Sequence, residues 1–211
     1  MTAFISHCWR RARFDFAVLL CCASLFWGLP QLARAETVAA EVSLLQIERS
    51  AEGYLLTATV GFELPTAVED ALLKGVPVIF VAEAVISRER WYWFDKRVLN
   101  TERHMRLVYQ PLTRRWRLAV ASGLITSNGL GMALNQTFDS LEEALATIRR
   151  VSGWRIAELA DLEPGARYRV EFRFQLDVSQ LPRPLQIGAL GQSDWTLAAT
   201  ATQRLVPENP K

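Results

Sequence analysis

The chain has 211 residues, 50% of them hydrophobic and 22% charged, with a formal net charge of +2. That balance is ordinary for a globular protein and excludes disorder and collagen-like repeats, and the length is enough to bury a core. Composition alone points to no activity.

Arg10, Arg11 and Arg13 precede an apolar run from Phe16 to Leu29, which Pro30 breaks ahead of Ala33-Arg34-Ala35. A basic start, a short apolar stretch and an A-x-A site have the form of a secretory signal peptide. The run of 14 residues falls short of the roughly 20 that a helix needs to span a bilayer. Cleavage after Ala35 is therefore expected, with an uncleaved anchor over residues 14–33 as the alternative. In both cases residues 36–211 read as a single β-rich domain in the periplasm. Losing four arginines and one aspartate lowers the charge of the remaining 176 residues to −1. Cys8, Cys21 and Cys22 all lie in the leader, so the mature domain has neither disulfide nor thiol chemistry.

Residues 41–48 are expected to pair with 54–64 across Ser50-Ala51-Glu52-Gly53, with Tyr54, Leu56, Ala58, Val60, Phe62 and Leu64 on one face. Thr66-x-x-Glu69 reads as a capping box opening a short helix that Gly75 and Pro77 stop. Residues 76–86 are apolar on both faces, as in a central covered strand. Were Arg88 to Asp95, RERWYWFD, a strand, Trp91 and Trp93 would share one face and Tyr92 and Phe94 the other, so that one pair could enter the core and the other would need a covering helix or be exposed. Residues 103–109 and 115–121 alternate around QPLTR and predict a hairpin. The stretch 122–137 is rich in Gly, Ser and Asn and reads as a loop. Ser140-x-x-Glu143 opens a second helix, with Leu141, Ala144, Leu145, Ile148 and Val151 as its apolar stripe and Gly153 as its stop. A further helical turn is expected within 154–162. From Tyr168 to Val178 the alternation is uninterrupted, and 194–206 is a last candidate strand. The fold class is mainly β, at the margin of α+β: an antiparallel β-sandwich or strongly curved sheet with two short helices packed on it.

Catalytic signatures are sparse. His104 is the one histidine after the leader and falls on the polar side of its strand, opposite Met105 and Leu107, so it reads as a surface residue. One histidine without cysteine does not build a typical zinc site, and neither G-x-S-x-G nor a phosphate-binding Gly-Lys-Ser/Thr occurs. Metal, cofactor and nucleic acid are not expected. A hydrolase would need two carboxylates within about 5–10 Å, for which Glu83, Glu89 and Asp95 are the candidates. A curved sheet holding a lipid or other apolar ligand is a further alternative.

The aromatic run Trp91–Phe94 is the strongest anomaly. It reads either as packing with arginine stems over the rings or as a platform for a partner. Residues 88–117 hold nine Lys/Arg against three Asp/Glu, leaving −7 for the rest of the mature chain. Such a basic strip attracts anions within a Debye length, and an exported protein meets those as lipid headgroups, cell-wall polymers or acidic protein faces. Cross-strand ion pairs on a solvated face are the alternative. Arg90, Trp91, Trp93, Arg97 and Arg115 are the candidate binding residues, because Trp and Arg dominate binding hot spots.

EDALLKGVPVIF (69–80), RERWYWFDKRV (88–98), LTRRW (112–116), SLEEAL to SGWRI (140–156) and LDVSQLPRPLQ (176–186) leading to DWTL (194–197) occur in the order seen in a family of exported bacterial proteins, domain of unknown function 4390. The chain resembles that family over nearly all of its mature length. It departs at Ala198–Gln203, small and polar where the family's last strand is more aromatic. The resemblance implies an N-terminal signal or anchor, carries over no functional residue, and associates the chain with genomic neighbours encoding a membrane sensor kinase. The expected function is a non-enzymatic interaction module, accessory to a membrane sensor system, whose partner is an envelope protein or an anionic envelope component.

Overall fold

A computed structural model describes residues 40–92, 94–122, 134–183, 185–186 and 195–207. In chain order the described elements are β1 (Glu41–Ser50), β2 (Gly53–Gly61), α1 (Thr66–Leu73), β3 (Val78–Arg88), β4 (Lys96–Gln110), β5 (Arg115–Ser122), β6 (Leu134–Phe138), α2 (Leu141–Arg149), β7 (Arg150–Ala157), β8 (Tyr168–Asp177) and β9 (Ala198–Leu205), with 3-10 turns at Leu159–Asp161 and Val178–Gln180. They form a three-stranded sheet, β1-β2-β7, and a six-stranded sheet, β6-β5-β4-β3-β8-β9. Every pairing is antiparallel.

The fold is the expected antiparallel sandwich with two short helices. One apolar cluster draws Leu56 and Val60 from the small sheet, Phe62 from just after β2, Phe80, Leu107, Leu118 and Phe174 from the large sheet, and Val68, Leu72, Leu145 and Ile148 from the helices. Phe62 reaches across to Phe174 and Phe80 with ring centroids 5.4 and 5.8 Å apart. These separations lie in the favourable range for aromatic pairs. Arg149 closes that corner. Its guanidinium lies 5.2 Å from the Phe62 ring centroid, donates to the Phe62 carbonyl at 2.9 Å and pairs with Glu142 at 2.6 Å.

β3 sits inside the large sheet between β4 and β8. Its inward side chains Val78, Phe80, Ala82, Ala84 and Ile86 enter the core, and outward Ile79, Val81 and Val85 are buried as well. The expected two-faced burial follows from that central place. The same position overturns the reading of His104. It is outward-facing on β4, opposite Val81 on one side and Ala121 on the other, and only 3% exposed. An interior strand is covered by its neighbours' side chains even on its wetter face, so polar periodicity did not mean exposure. The imidazole Nε2 is 3.2 Å from the Glu102 carboxylate.

Three local expectations need correction. α1 starts where expected, but its N-cap is Pro65, and the Thr66 hydroxyl caps nothing. The Pro65 carbonyl accepts from the amides of Val68 and Glu69 instead. The helix ends on Gly75 at φ +80°, whose amide bonds the Leu72 carbonyl while the Val76 amide bonds that of Ala71. Those two bonds form a Schellman motif, which needs a left-handed residue. α2 is capped by the Ser140 hydroxyl, which accepts from the Glu143 amide at 3.2 Å, but it ends at Arg149. Val151, expected in the stripe of α2, belongs to β7, which pairs with β2, and the helical turn expected within 154–162 is the 3-10 turn Leu159–Asp161 that follows β7. The helix-like spacing of Val151 is also the inward spacing of a strand that buries Val151, Trp154 and Ile156. Residues 134–138, expected within a loop, form edge strand β6 on β5; 123–133 lie outside the described residues.

Arg103 points inward from β4, its guanidinium 5.2 Å from the centroid of Trp154 on β7. Burial lowers its pKa below the ordinary value, because a desolvated cation is disfavoured.

Candidate functional site

The aromatic segment is a loop between two strands. β3 stops at Arg88, paired with Lys96, and the seven residues between them close the hairpin. A bulge between Ile86 and Ser87 shifts the register just before this point. Continuing as strand would have required cover for rings on both faces. Inside, the core is already closed at this end by buried Leu162 and by Tyr168, which lies opposite Arg88. Outside lies an ion-pair network. The rings therefore project from the end of the sheet: Trp91 is 91% exposed, Tyr92 72% and Phe94 89%. Trp91 and Tyr92 touch edge to face with centroids 4.9 Å apart. Core packing is thus overturned for these three residues. Trp93, the fourth member, lies outside the described residues.

The root of the loop is tied to β8 and the segment before it. Arg169 pairs with Glu89 at 3.2 Å and with Asp95 at 3.3 Å, so one guanidinium holds the first and last residues of the loop. Arg204 on β9 adds a contact to Glu89 at 3.4 Å. Arg88 forms a bidentate pair with Glu163, both contacts at 2.9 Å. The Glu89 amide donates to the Arg167 carbonyl at 3.0 Å. Both loop carboxylates are thus turned back onto the sheet. Arg90, Lys96 and Arg97 are exposed, and among the described residues no carboxylate pairs with them. A cleft of about 530 Å³ opens beside the loop, lined by Arg88, Glu89, Arg90, Trp91, Tyr92 and Arg167.

The five candidate binding residues do not form one strip. Arg90, Trp91 and Arg97 share this end. Arg115 lies opposite Gln110, at the far end of β4, roughly 40 Å away at strand rise, and pairs with Asp139 at 3.3 Å. The basic segment 88–117 is divided by the length of its own strand. At the Arg115 end a second cleft, of about 430 Å³, lies between Lys74 and Gly75 after α1 and Tyr109–Thr113, with Leu112 fully exposed.

Each carboxylate considered for hydrolysis is engaged by arginine. Glu89 and Asp95 share Arg169, and Glu83 on β3 faces Arg173 at 3.6 Å. Arg173 also binds Glu171 at 2.7 Å, and this hydrogen bond, reinforced by the charges of Glu171 and Glu83, raises its pKa above the ordinary value. Among the described residues no group of three His, Cys, Asp or Glu side chains is placed to hold a metal ion. Among them too, no helix is long and apolar enough to cross a membrane; the leader and the anchor alternative at 14–33 lie outside them. The contacts of Arg167, Arg169 and Arg204 with the loop are not legible in the sequence, which places Arg169 only on the outward face of its strand. These arginines reach the loop from β8, β9 and the segment before β8, 70 residues or more downstream, and no local spacing signals that encounter.

No curated protein and no solved structure matches the chain. A family model described as "Domain of unknown function (DUF4390)" matches residues 38–205, which takes in every described strand and both helices. The sandwich and its aromatic loop are therefore those of a member of the DUF4390 family, to which this chain belongs.

Proposed function

We propose that this protein is a non-enzymatic docking module of the bacterial cell envelope, exported by its N-terminal segment, and that the end of the sandwich bearing residues 89–97 is its contact surface. The observation that carries this reading is the near-complete exposure of Trp91, Tyr92 and Phe94 on a loop whose root is fastened by Arg169. Large rings left in water are costly unless something covers them, and a fastened root presents them without a large ordering cost on binding. Arg90 and Arg97 flank the rings and supply charge for recognition. The engaged carboxylates speak for docking rather than hydrolysis. A role beside a membrane sensor rests on family resemblance.

A photoreactive residue at position 91 of the full chain in living cells tests this reading, with position 112, equally exposed but at the other end, as the control. A discrete adduct at 91, with a protein or with lipid, absent at 112 and lost when Arg90 and Arg97 are both changed to Glu, is expected. No adduct at 91, or the same adducts at both positions, would overturn it.

A further inference from the structure

Resting on the docking reading, we infer that the surface met by the 89–97 end is the phosphate-bearing face of an anionic lipid bilayer, with the aromatic tip entering the interface and the arginines around it holding headgroups. The order of chemistry along the loop matches the order of layers in a leaflet. Farthest along the loop are Trp91, Tyr92 and Phe94, bare of any covering segment among the described residues. Trp and Tyr favour the membrane–water interface because their rings are apolar and their polar atoms remain wet. On both sides of these rings stand cations, Arg90 before and Lys96 and Arg97 after, without carboxylate partners among the described residues.

The two carboxylates of the loop itself are turned back onto the sheet, and exposed Glu163 beside it is neutralised by Arg88. Glu89 and Asp95 are bound back by Arg169 and Arg204, and their side chains are 20% and 31% exposed. At the level of the collar is the cleft of about 530 Å³ with Arg88, Arg90 and Arg167 in its walls. That volume suits a small ligand; Arg88 is held by Glu163 and Glu89 by Arg169, which leaves the Arg90 and Arg167 guanidiniums, without carboxylate partners among the described residues, to suit a phosphodiester. A convex wedge of rings needs no preformed pocket in a bilayer, whereas a protein partner needs a complementary one. Rings that insert and cations that bind anionic lipid are the two terms of interfacial attachment.

The test places an environment-sensitive fluorescent amino acid at position 94 of the full chain, with the same amino acid at position 112 as control. Each protein is mixed with vesicles of phosphatidylethanolamine and phosphatidylglycerol, or of phosphatidylcholine alone. With the anionic vesicles, emission at position 94 should move to the blue and be quenched by brominated acyl chains, while position 112 stays aqueous. R90E together with R97E should weaken that signal roughly tenfold or more, since each basic residue near an anionic surface strengthens binding about fivefold. Raising salt should weaken it too. An aqueous signal at position 94 on vesicles that carry the protein would overturn the inference, as would equal insertion into phosphatidylcholine or insertion indifferent to R90E/R97E. If position 94 stays aqueous while the photoreactive residue at 91 yields a discrete protein adduct in cells, the lipid inference falls and the docking reading stands.

Discussion

Trp91 and Phe174 are both large aromatics, yet they do opposite work. Phe174 has no exposure and packs against both Phe62 and Phe80, so Phe174→Ala should cost about 3–5 kcal/mol by opening a cavity. Trp91 and Phe94 touch no part of the core cluster. Trp91→Ala and Phe94→Ala should each change stability by less than about 0.5 kcal/mol, the range of surface substitutions away from special features. Urea denaturation of the variants measures both. A loss of 2 kcal/mol at Trp91 would mean that the rings support the fold, and the docking reading would lose its motive. Sequence periodicity was a good guide to Phe174 and a poor one to Trp91. Tyr168 through Leu176 alternates cleanly because one face meets a core and the other meets water. Four consecutive aromatics have no such alternation, and their high strand propensity masked a loop that has no Gly, Pro or Asn to mark it. His104 fails in a different way. Its side of the strand was read correctly, but its burial depends on Val81 and Ala121 in adjacent strands.

At the scale of elements, the hairpin β3–β4 carries the argument, since its strands build the core while its loop faces water. Arg169 is the joint between those roles, bonded to Glu89 and Asp95 at the two ends of the loop. Exposed ion pairs are worth only about 0.2–1 kcal/mol each. Arg169→Ala should therefore barely move the thermal midpoint, yet it should speed amide hydrogen exchange through 89–95, where opening becomes a local event. Unchanged exchange in that segment would show the loop to be held by other contacts and Arg169 to be incidental. Which elements exist was legible wherever a local signal and a tertiary role agreed, as with the Ser140 cap and the Gly75 stop. It was not legible where they competed. Thr66 has the chemistry of a cap, but Pro65, with φ already fixed at −59°, occupies the cap position. Val151 has a spacing compatible with helix, and pairing with β2 takes it into a strand.

The whole molecule raises a question that neither sheet answers alone. A three-stranded sheet is marginal without a second layer, and here the second layer is the large sheet. Leu56, Val60 and Trp154 of the small sheet share one apolar cluster with Phe80, Leu107 and Phe174 of the large one. Thr101 on β4 also donates to the Ile156 carbonyl on β7 at 3.2 Å, and Arg103 lies over Trp154. Removing side chain from that shared cluster should weaken both sheets together. Leu56→Ala should cost about 2–5 kcal/mol, and the most protected amides of β3 and β8 should lose protection by the same free energy as those of β2, because global unfolding is the opening that exposes all of them. Amides of β3 and β8 that keep wild-type protection while β1, β2 and β7 exchange freely would show two folding units instead. Such a split would matter for function. Every contact that fastens the aromatic loop comes from the large sheet or the segment leading into it, so the loop would survive loss of the small sheet. With a single cooperative core, a core substitution on the small sheet such as Leu56→Ala also lowers the fraction of chains that present Trp91, and does so without touching the loop.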